Sequence, residues 1–554
     1  MSAMPISPER RELVFPKLTA SQIERISPVG HRRAVSEGEV LINQGDSNVP
    51  FFVVISGRID IVQPSDQGEI VIVQHQAGEF TGEMNMLSGR RSLVSVRAGT
   101  SGEVIELNRE AMQSLVQTDV GVSEILMRAF IMRRLELIAQ GKGDVALIGS
   151  SHSAGTLRIK EFLTRNSHPY HYLDLDRDEG VQDLLDKFHV RVDEVPVIIC
   201  RGSAVLRNPS NQQVADCLGL NPKIDGTHAR DVVVVGAGPA GLAASVYAAS
   251  EGLEALMIET TAPGGQAGSS SKIENYLGFP MGITGQELAA RAYTQAQKFG
   301  AQMIITRGAM KLCGNPGAYI VEIEGGQRIP ARTVVIATGV QYRKLPLDKL
   351  EHYEGTGVYF GATFIEAQLC AEEELIVVGG ANSAGQAAVF LAETAKHVHV
   401  LVRGAGLADT MSRYLIRRIE ESPKITVHPF TEIEAVDGGN HLESVSWRSK
   451  KTGLSETPKI RHIFVMTGAS PNTVWLAGRV ALDDKGFIRT GPDLTTEDLQ
   501  SSAWPLGRQP YLLETSLPGV FAVGDVRSGN LKRVASAVGE GSISIHLAHK
   551  VLAE

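Results

Sequence analysis

The chain has 554 residues, of which 43% are hydrophobic and 21% charged; 54 Lys+Arg stand against 62 Asp+Glu, a formal net charge of −8. This composition excludes a mostly disordered chain, and mild acidity gives no global pull toward nucleic acid or anionic membrane. No apolar run has the length of a membrane-spanning helix. Only Cys200, Cys217, Cys313 and Cys370 occur, and no two are separated by two residues, so neither a CxxC nor a zinc-ligand spacing exists. Sparse cysteine, and an N-terminus (MSAMPISPERRELVF) without an apolar h-region, predict a cytoplasmic protein with no metal site.

Residues 15–140 hold short β-like runs punctuated by glycine, among them FFVVISGRIDIV (51–62) and EIVIVQHQAGEF (69–80). They predict a small antiparallel barrel or jelly roll. A helix is expected over 123–140, where Ile125, Leu126, Ala129, Met132, Leu135 and Ile138 recur at helical spacing. GKGD (141–144) reads as a linker. GEVLINQGD (38–46), VVISGRIDIV (53–62) and GEFTGEMNMLSGRRSLVSVRA (78–98) resemble a cyclic-nucleotide-binding domain, the last stretch its phosphate-binding cassette. The resemblance implies that Glu83 binds the ribose 2′-hydroxyl and Arg91 the cyclic phosphate of cyclic AMP or cyclic GMP, with Gly82 and Ser92 adding contacts. Arg90 adjoins Arg91, so the register stays open by one residue. A turn of free amides with one arginine is an anion cradle. The alternative is a jelly roll that has lost its ligand.

Residues 144–222 alternate strand and helix: DVALIGS, TLRIKEFLTRN, PYHYLDLD, DEGVQDLLDKFHV, VPVIICRG. This is a small α/β unit. In strand–helix order it resembles a thioredoxin or glutaredoxin fold, with Val195-Pro196 where that fold places its cis-proline. Its active-site position reads Ser150-Ser151-His152-Ser153, so disulfide exchange there is not expected, and the unit reads as a docking or relay-shaped spacer.

Two glycine turns follow. Gly236-Ala-Gly238-Pro239-Ala240-Gly241 comes after VVVV and opens a small-residue helix. Gly236 permits the tight turn, Gly238 lets a pyrophosphate approach, and Gly241 allows close helix–strand packing. The helix N-terminus offers amides and a positive dipole. Glu259 ends the next strand, where an acid binds the ribose. The second turn is Gly379-Gly380-Ala381-Asn382-Ser383-Ala384, after LIVV. The following strand ends in Arg403, and a basic residue there suits the 2′-phosphate of NADPH. Arg413, Arg417 and Arg418 are candidates to assist it.

Residues 226–554 resemble the low-molecular-weight thioredoxin reductases, on GGQ (264–266), IENYLGFP (273–280), TGQEL (284–288), VVIATGV (334–340) and PGVFAVGDVRSGNLKRVASAVGEG (518–541). The resemblance implies an FAD domain in two parts, 226–343 and 468–554, with an NADPH domain inserted at 344–467. It implies FAD contacts from Gln266, Asn275, Thr338, Gly339, Asp525, Arg533, Val534 and Ala535, and a homodimer. Where that family carries its redox CxxC this chain reads Gly361-Ala-Thr-Phe364, and Cys370 stands alone after FIEAQL. A relay through an internal disulfide needs a thiolate that attacks and exchanges, so no catalytic dithiol is assigned; Cys370 reads as a packed thiol, with a redox role as the alternative. The expected fold is multidomain: a jelly-roll cyclic-nucleotide unit, a thioredoxin-like α/β unit and two Rossmann-like domains. The expected activity is an NADPH-dependent, FAD-containing oxidoreductase acting on a small-molecule or protein acceptor, with a cyclic nucleotide as effector. The alternative is a non-enzymatic flavin and cyclic-nucleotide sensor working through partners.

Overall fold

The computed structural model describes residues 8–47, 49–65, 68–82, 85–88, 90–139, 145–151, 153–178, 181, 191, 194–200, 204–222, 224–270, 272–408, 411–439 and 441–554. Glu83, His152, the 141–144 linker and most of the helix expected over 178–190 lie outside the described residues.

The N-terminal region forms an antiparallel sheet of His31–Val35, Val40–Ile42, Phe51–Ser65, Gly68–His75 and Ser95–Leu107. Phe51–Ser65 pairs with both Gly68–His75 and Ser95–Leu107. Its core gathers Phe51, Phe80 and Phe130, with ring centroids 5.7 to 6.4 Å apart. Phe130 comes from the helix Val120–Ala139, so this helix completes the core and is more than a connector.

The middle region has Val145–Gly149 parallel to His171–Asp174 and antiparallel to Val197–Cys200, which pairs in turn with Ala204–Arg207. Helices Ala154–Arg165 and Asn211–Leu218 pack on this sheet. The Val195–Pro196 peptide is cis. One apolar cluster runs without a break from Leu147, Ile159 and Phe162 to Val232, Met257 and Met303 of the following region.

There, Gln302–Ile304, Ala255–Ile258, Arg230–Val235, Arg328–Ile336 and Val520–Ala522 form a parallel array. Ala318–Ile323 and Ala309–Asn315 add antiparallel to one side. Val232–Val235 are all buried, as both faces of the sheet are covered. A second parallel sheet has the order Val358–Tyr359, Ile463–Val465, Glu374–Val378, His397–Val402, Ile425–Pro429. The chain passes between the two sheets through Val340–Tyr342 and Ala469–Pro471, which pair antiparallel.

Candidate functional site: two glycine turns and the cleft between their domains

The first turn is closed on nearly every side. Gly236 has φ +106°, and a Cβ on it would run into the Ala337 carbonyl. A Cβ on Gly241 would overlap the Gly236 carbonyl oxygen, which forces glycine where the helix Pro239–Ser250 starts. Gly238 differs: the nearest atom to its would-be Cβ is Gly265 Cα, 3.9 Å away. Gly238 therefore leaves its backbone open to a ligand, and Pro239 and Ala240 begin the helix behind it. The Glu259 carboxylate accepts from the Ala237 amide at 2.8 Å and the Thr261 amide at 3.0 Å, so the acid is fixed beside the turn. Gly264 donates its amide to the Ala237 carbonyl at 2.7 Å, which brings the GGQ segment over the turn.

Around the turn, the Gln266 amide donates to the Val340 carbonyl at 3.3 Å. The Thr338 hydroxyl is spent on the Asn472 carbonyl at 2.9 Å, while Asn472 donates back to the Thr338 carbonyl and, from its amide, to Gly339. Thr338 and Gly339 thus tie the two crossing strands together. Asp525 sits in a short 3-10 turn. Burial pushes its carboxyl up from the usual range, opposed by the charge of Lys532 and helped by Glu540. Glu540 anchors the same loop by accepting from the Gly524 amide and from Arg527 at 2.7 Å each. Arg533, Val534 and Ala535 open the helix Val534–Ala553, with Arg533 and Ala535 exposed. Asn275 is exposed on the loop closed by the Ile273–Ile283 bridge.

The second turn is open. Gly379 has φ +145° and lies 2.5 Å, by its would-be Cβ, from the Met466 carbonyl. Gly380 is half-buried, Ala381, Asn382 and Ser383 are exposed, and Ala384 is buried under the helix Asn382–Leu391. Arg403 is exposed at the end of His397–Val402. Arg418 is held from outside its own helix. Its guanidinium pairs with Glu274 of the other nucleotide domain at 2.8 Å, and Arg417 pairs with Glu421 at 3.4 Å. Glu274 lies outside the helix Arg413–Glu421, whereas Glu421 is one turn along it from Arg417.

Gln266, Ser269, Tyr342, Gly361, Ser383 and Met466 line one cleft between the two sheets. Tyr342, missed in the sequence, hydrogen-bonds to Ser383; burial raises its phenol pKa. Its signal was its place just after VVIATGV. Gly361 faces Ser269, whose Oγ lies 3.8 Å from the would-be Cβ, and Phe364 begins a helix Phe364–Leu369. Cys370 is 1% exposed, and burial beside Glu366 and Glu373 pushes its thiol strongly up. A thiol held protonated is a poor nucleophile.

The cyclic-nucleotide cassette has other partners. Gly82 has φ +105° and its carbonyl accepts from Arg133 at 2.8 Å. Arg90 donates to the Tyr293 hydroxyl at 2.9 Å and stacks over that ring, and Arg91 packs against Gly219. The Ser92 hydroxyl donates to the Val94 carbonyl at 2.8 Å. Arg90, Arg91 and Ser92 therefore all make contacts within the protein.

The profile of the Pyridine nucleotide-disulphide oxidoreductase family matches residues 230–541, over half of the chain. The chain belongs to that family. A Cyclic nucleotide-binding domain profile matches 32–119. Over 325 residues the oxidoreductase is 32% identical to Thioredoxin reductase of Mycolicibacterium smegmatis, covering 58% of this chain and 97% of that one. It is 30% identical to NADPH-dependent thioredoxin reductase 3 of Arabidopsis thaliana over 63% of this chain and 65% of that one, so it spans just under two thirds of that relative. Lactococcus lactis thioredoxin reductase superposes with TM-score 0.52 at 26% identity, over 58% of this chain and 99% of that one. No helix among the described residues is long and apolar enough to cross a membrane.

Proposed function

We propose that this oxidoreductase transfers reducing equivalents from NADPH, through FAD, to an acceptor outside the chain, under the influence of a cyclic nucleotide. The carrying observation is that a cleft lined by Gln266, from the segment packed over the closed first turn, and by Ser383 of the open second turn has Gly361 at the dithiol position. The residues fit FAD. Gly238 leaves its backbone open to an approaching group, Glu259 stands at the ribose position, and the Asp525 carboxylate is largely desolvated and suited to accept from ribityl hydroxyls. When bound, FAD supplies hydride acceptance from a dihydronicotinamide and onward electron delivery. The chain's part is positioning. Gln266 and Tyr342 bracket the cleft from one domain, Ser383 and Met466 from the other, and Arg403 offers charge to the 2′-phosphate.

With Gly361 in place of a thiol and Cys370 held protonated, the acceptor has to reach the cleft itself. An external disulfide, a quinone, an iron–sulfur protein and oxygen are the classes to screen. The test uses the purified full-length chain. Its extracted flavin is expected to be FAD, and NADPH absorbance is expected to fall steadily with at least one acceptor. Flavin present with no NADPH turnover under any acceptor would favour the sensor alternative.

The cassette is the regulatory half of the proposal. Its Gly82 carbonyl bonds to Arg133 in the helix Val120–Ala139, and the adjacent Arg134 donates to the Ser167 carbonyl of the middle unit at 2.8 Å. An effector changes turnover only if it binds one arrangement of these contacts better than another. Calorimetry with cyclic AMP and cyclic GMP tests this half separately.

A further inference from the structure

We infer that Arg165 and Asn166, at the end of one helix of the middle unit, are positioning residues for the FAD turn of the neighbouring domain. The inference rests on reading Gly236–Gly241 as the FAD site.

Arg165 is the last residue of the helix Ala154–Arg165, and Asn166 is its C-cap. The Arg165 guanidinium donates to the Gly265 carbonyl at 3.1 Å. The Asn166 side-chain amide donates to the Thr261 carbonyl at 3.3 Å, and Asn166 is 5% exposed. These two carbonyls bracket the segment that forms one wall of the turn. Gly265 is packed on Gly238: a Cβ on Gly265 would come within 2.9 Å of Gly238 Cα. Thr261 holds Glu259, through its amide at 3.0 Å. The middle unit therefore grips both the residue beside the pyrophosphate approach and the residue that orients the ribose acid.

Physical chemistry favours the grip. A cation in the last turn of a helix is stabilised by the helix dipole, and a charged donor makes the stronger kind of hydrogen bond to a carbonyl. The Arg165 side chain is 17% exposed, with its Nε buried. The shared apolar cluster from Phe162 to Met257 keeps the helix end from drifting. The M. smegmatis relative is matched over 97% of its length by 325 residues, so it has no room for a comparable unit. The grip is an addition made by the extra N-terminal part of this chain. It also lies one residue from Ser167, which accepts from Arg134 of the cyclic-nucleotide region.

The test is FAD affinity of the full-length chain, stripped of flavin and titrated with FAD by fluorescence. Arg165→Ala is expected to raise the FAD Kd about tenfold, as expected for loss of one charge-assisted hydrogen bond. Asn166→Ala should raise it less, and Arg165→Lys, which keeps charge and one donor, should fall between Arg165→Ala and the parent. Asn221→Ala removes another inter-unit bond, the one accepted from the Ile305 amide at 2.7 Å. It should leave the FAD Kd unchanged, which separates positioning from general docking. FAD binding with equal Kd in the parent, Arg165→Ala and Arg165→Lys would overturn this inference alone. If Arg165→Ala does not fold, the Arg165→Lys comparison decides. A parent chain that binds no FAD would overturn the flavin reading itself, and this inference with it.

Discussion

The two glycine turns follow one plan and are finished differently. The first is walled by the GGQ segment, pinned by Glu259, and held from a second unit by Arg165 and Asn166. The second leaves Ala381, Asn382, Ser383 and Arg403 in solvent. A closed turn suits a cofactor that stays through many turnovers, and an open one suits a co-substrate that must leave after each. The fifth position after the first glycine shows the same difference in miniature. It is Gly241 in the first turn and Ala384 in the second, where a methyl group is already accommodated beside Gly379.

The largest effect should come from that position. Gly241→Ala puts a methyl group onto the Gly236 carbonyl, and backbone cannot step aside as a flexible side chain can. A loss of roughly 3 kcal/mol or more, with failure to retain FAD, is expected from overpacking at a fixed backbone contact. The mirror change, Ala384→Gly, sits in a helix and should cost only about 1 kcal/mol through backbone entropy. Thermal unfolding of both variants measures the contrast. Equal losses would show that the turns are built to the same tolerance.

Next in size is Arg403→Ala, which should weaken NADPH about tenfold to a hundredfold and leave NADH unchanged, as for loss of a charge-assisted phosphate contact. Steady-state KM for each nucleotide reads this. Equal use of both nucleotides by the parent would remove the 2′-phosphate assignment. Arg403 is informative because two of the nearby arginines already have carboxylate partners: Arg418 pairs with Glu274 and Arg417 with Glu421.

How much of this the sequence carried depends on the range of the contact. The first turn was legible because its physics is local: a buried strand, three glycines and a helix, with Glu259 one strand away. The exposed place of Arg403 at the end of His397–Val402 follows from the same local pattern. The ion pair of Arg418 was not legible, because Glu274 is remote in sequence. The contacts of Arg90 with Tyr293 and of Arg165 with Gly265 were invisible on the same ground, since no spacing rule links residues that meet only through domain docking. The cassette motif specified residue types for an anion, but the fold also uses those arginines between units.

A smaller effect, with a sign that differs between stability and binding, is expected at Asp525. Burial raises the folded carboxyl's pKa, so near that pKa the folded chain holds more proton than the unfolded one. Stability of the flavin-free protein from this group is therefore present at low pH and lost as pH rises through the window just above the ordinary aspartate value. Asp525→Asn should stabilise the flavin-free chain at neutral pH by about 0.5–2 kcal/mol, the size common when a strained site residue is neutralised. The same change should weaken FAD, because an amide replaces an acceptor-only carboxylate. Melting of the flavin-free protein at pH 5 and pH 8, set beside FAD titration, checks both signs. A loss of stability at neutral pH would mean that Asp525 is a structural partner and not part of the closed turn's ligand surface.

The smallest effect tests whether the cleft between the turns needs a thiol at all. Cys370 is the cysteine nearest in sequence to Gly361, yet it is buried in the apolar cluster that also holds Ala367 and Leu391, and its proton is held by desolvation and by neighbouring Glu366 and Glu373. Reactivity requires thiolate, and the surroundings oppose it. Cys370→Ala removes only a small buried atom, so the cost in stability should be about 1 kcal/mol. NADPH oxidation with a dye acceptor should be unchanged within error, and so should any acceptor found in the screen. A disulfide acceptor whose reduction disappears in Cys370→Ala, while dye reduction persists, would place a thiol step back between flavin and acceptor.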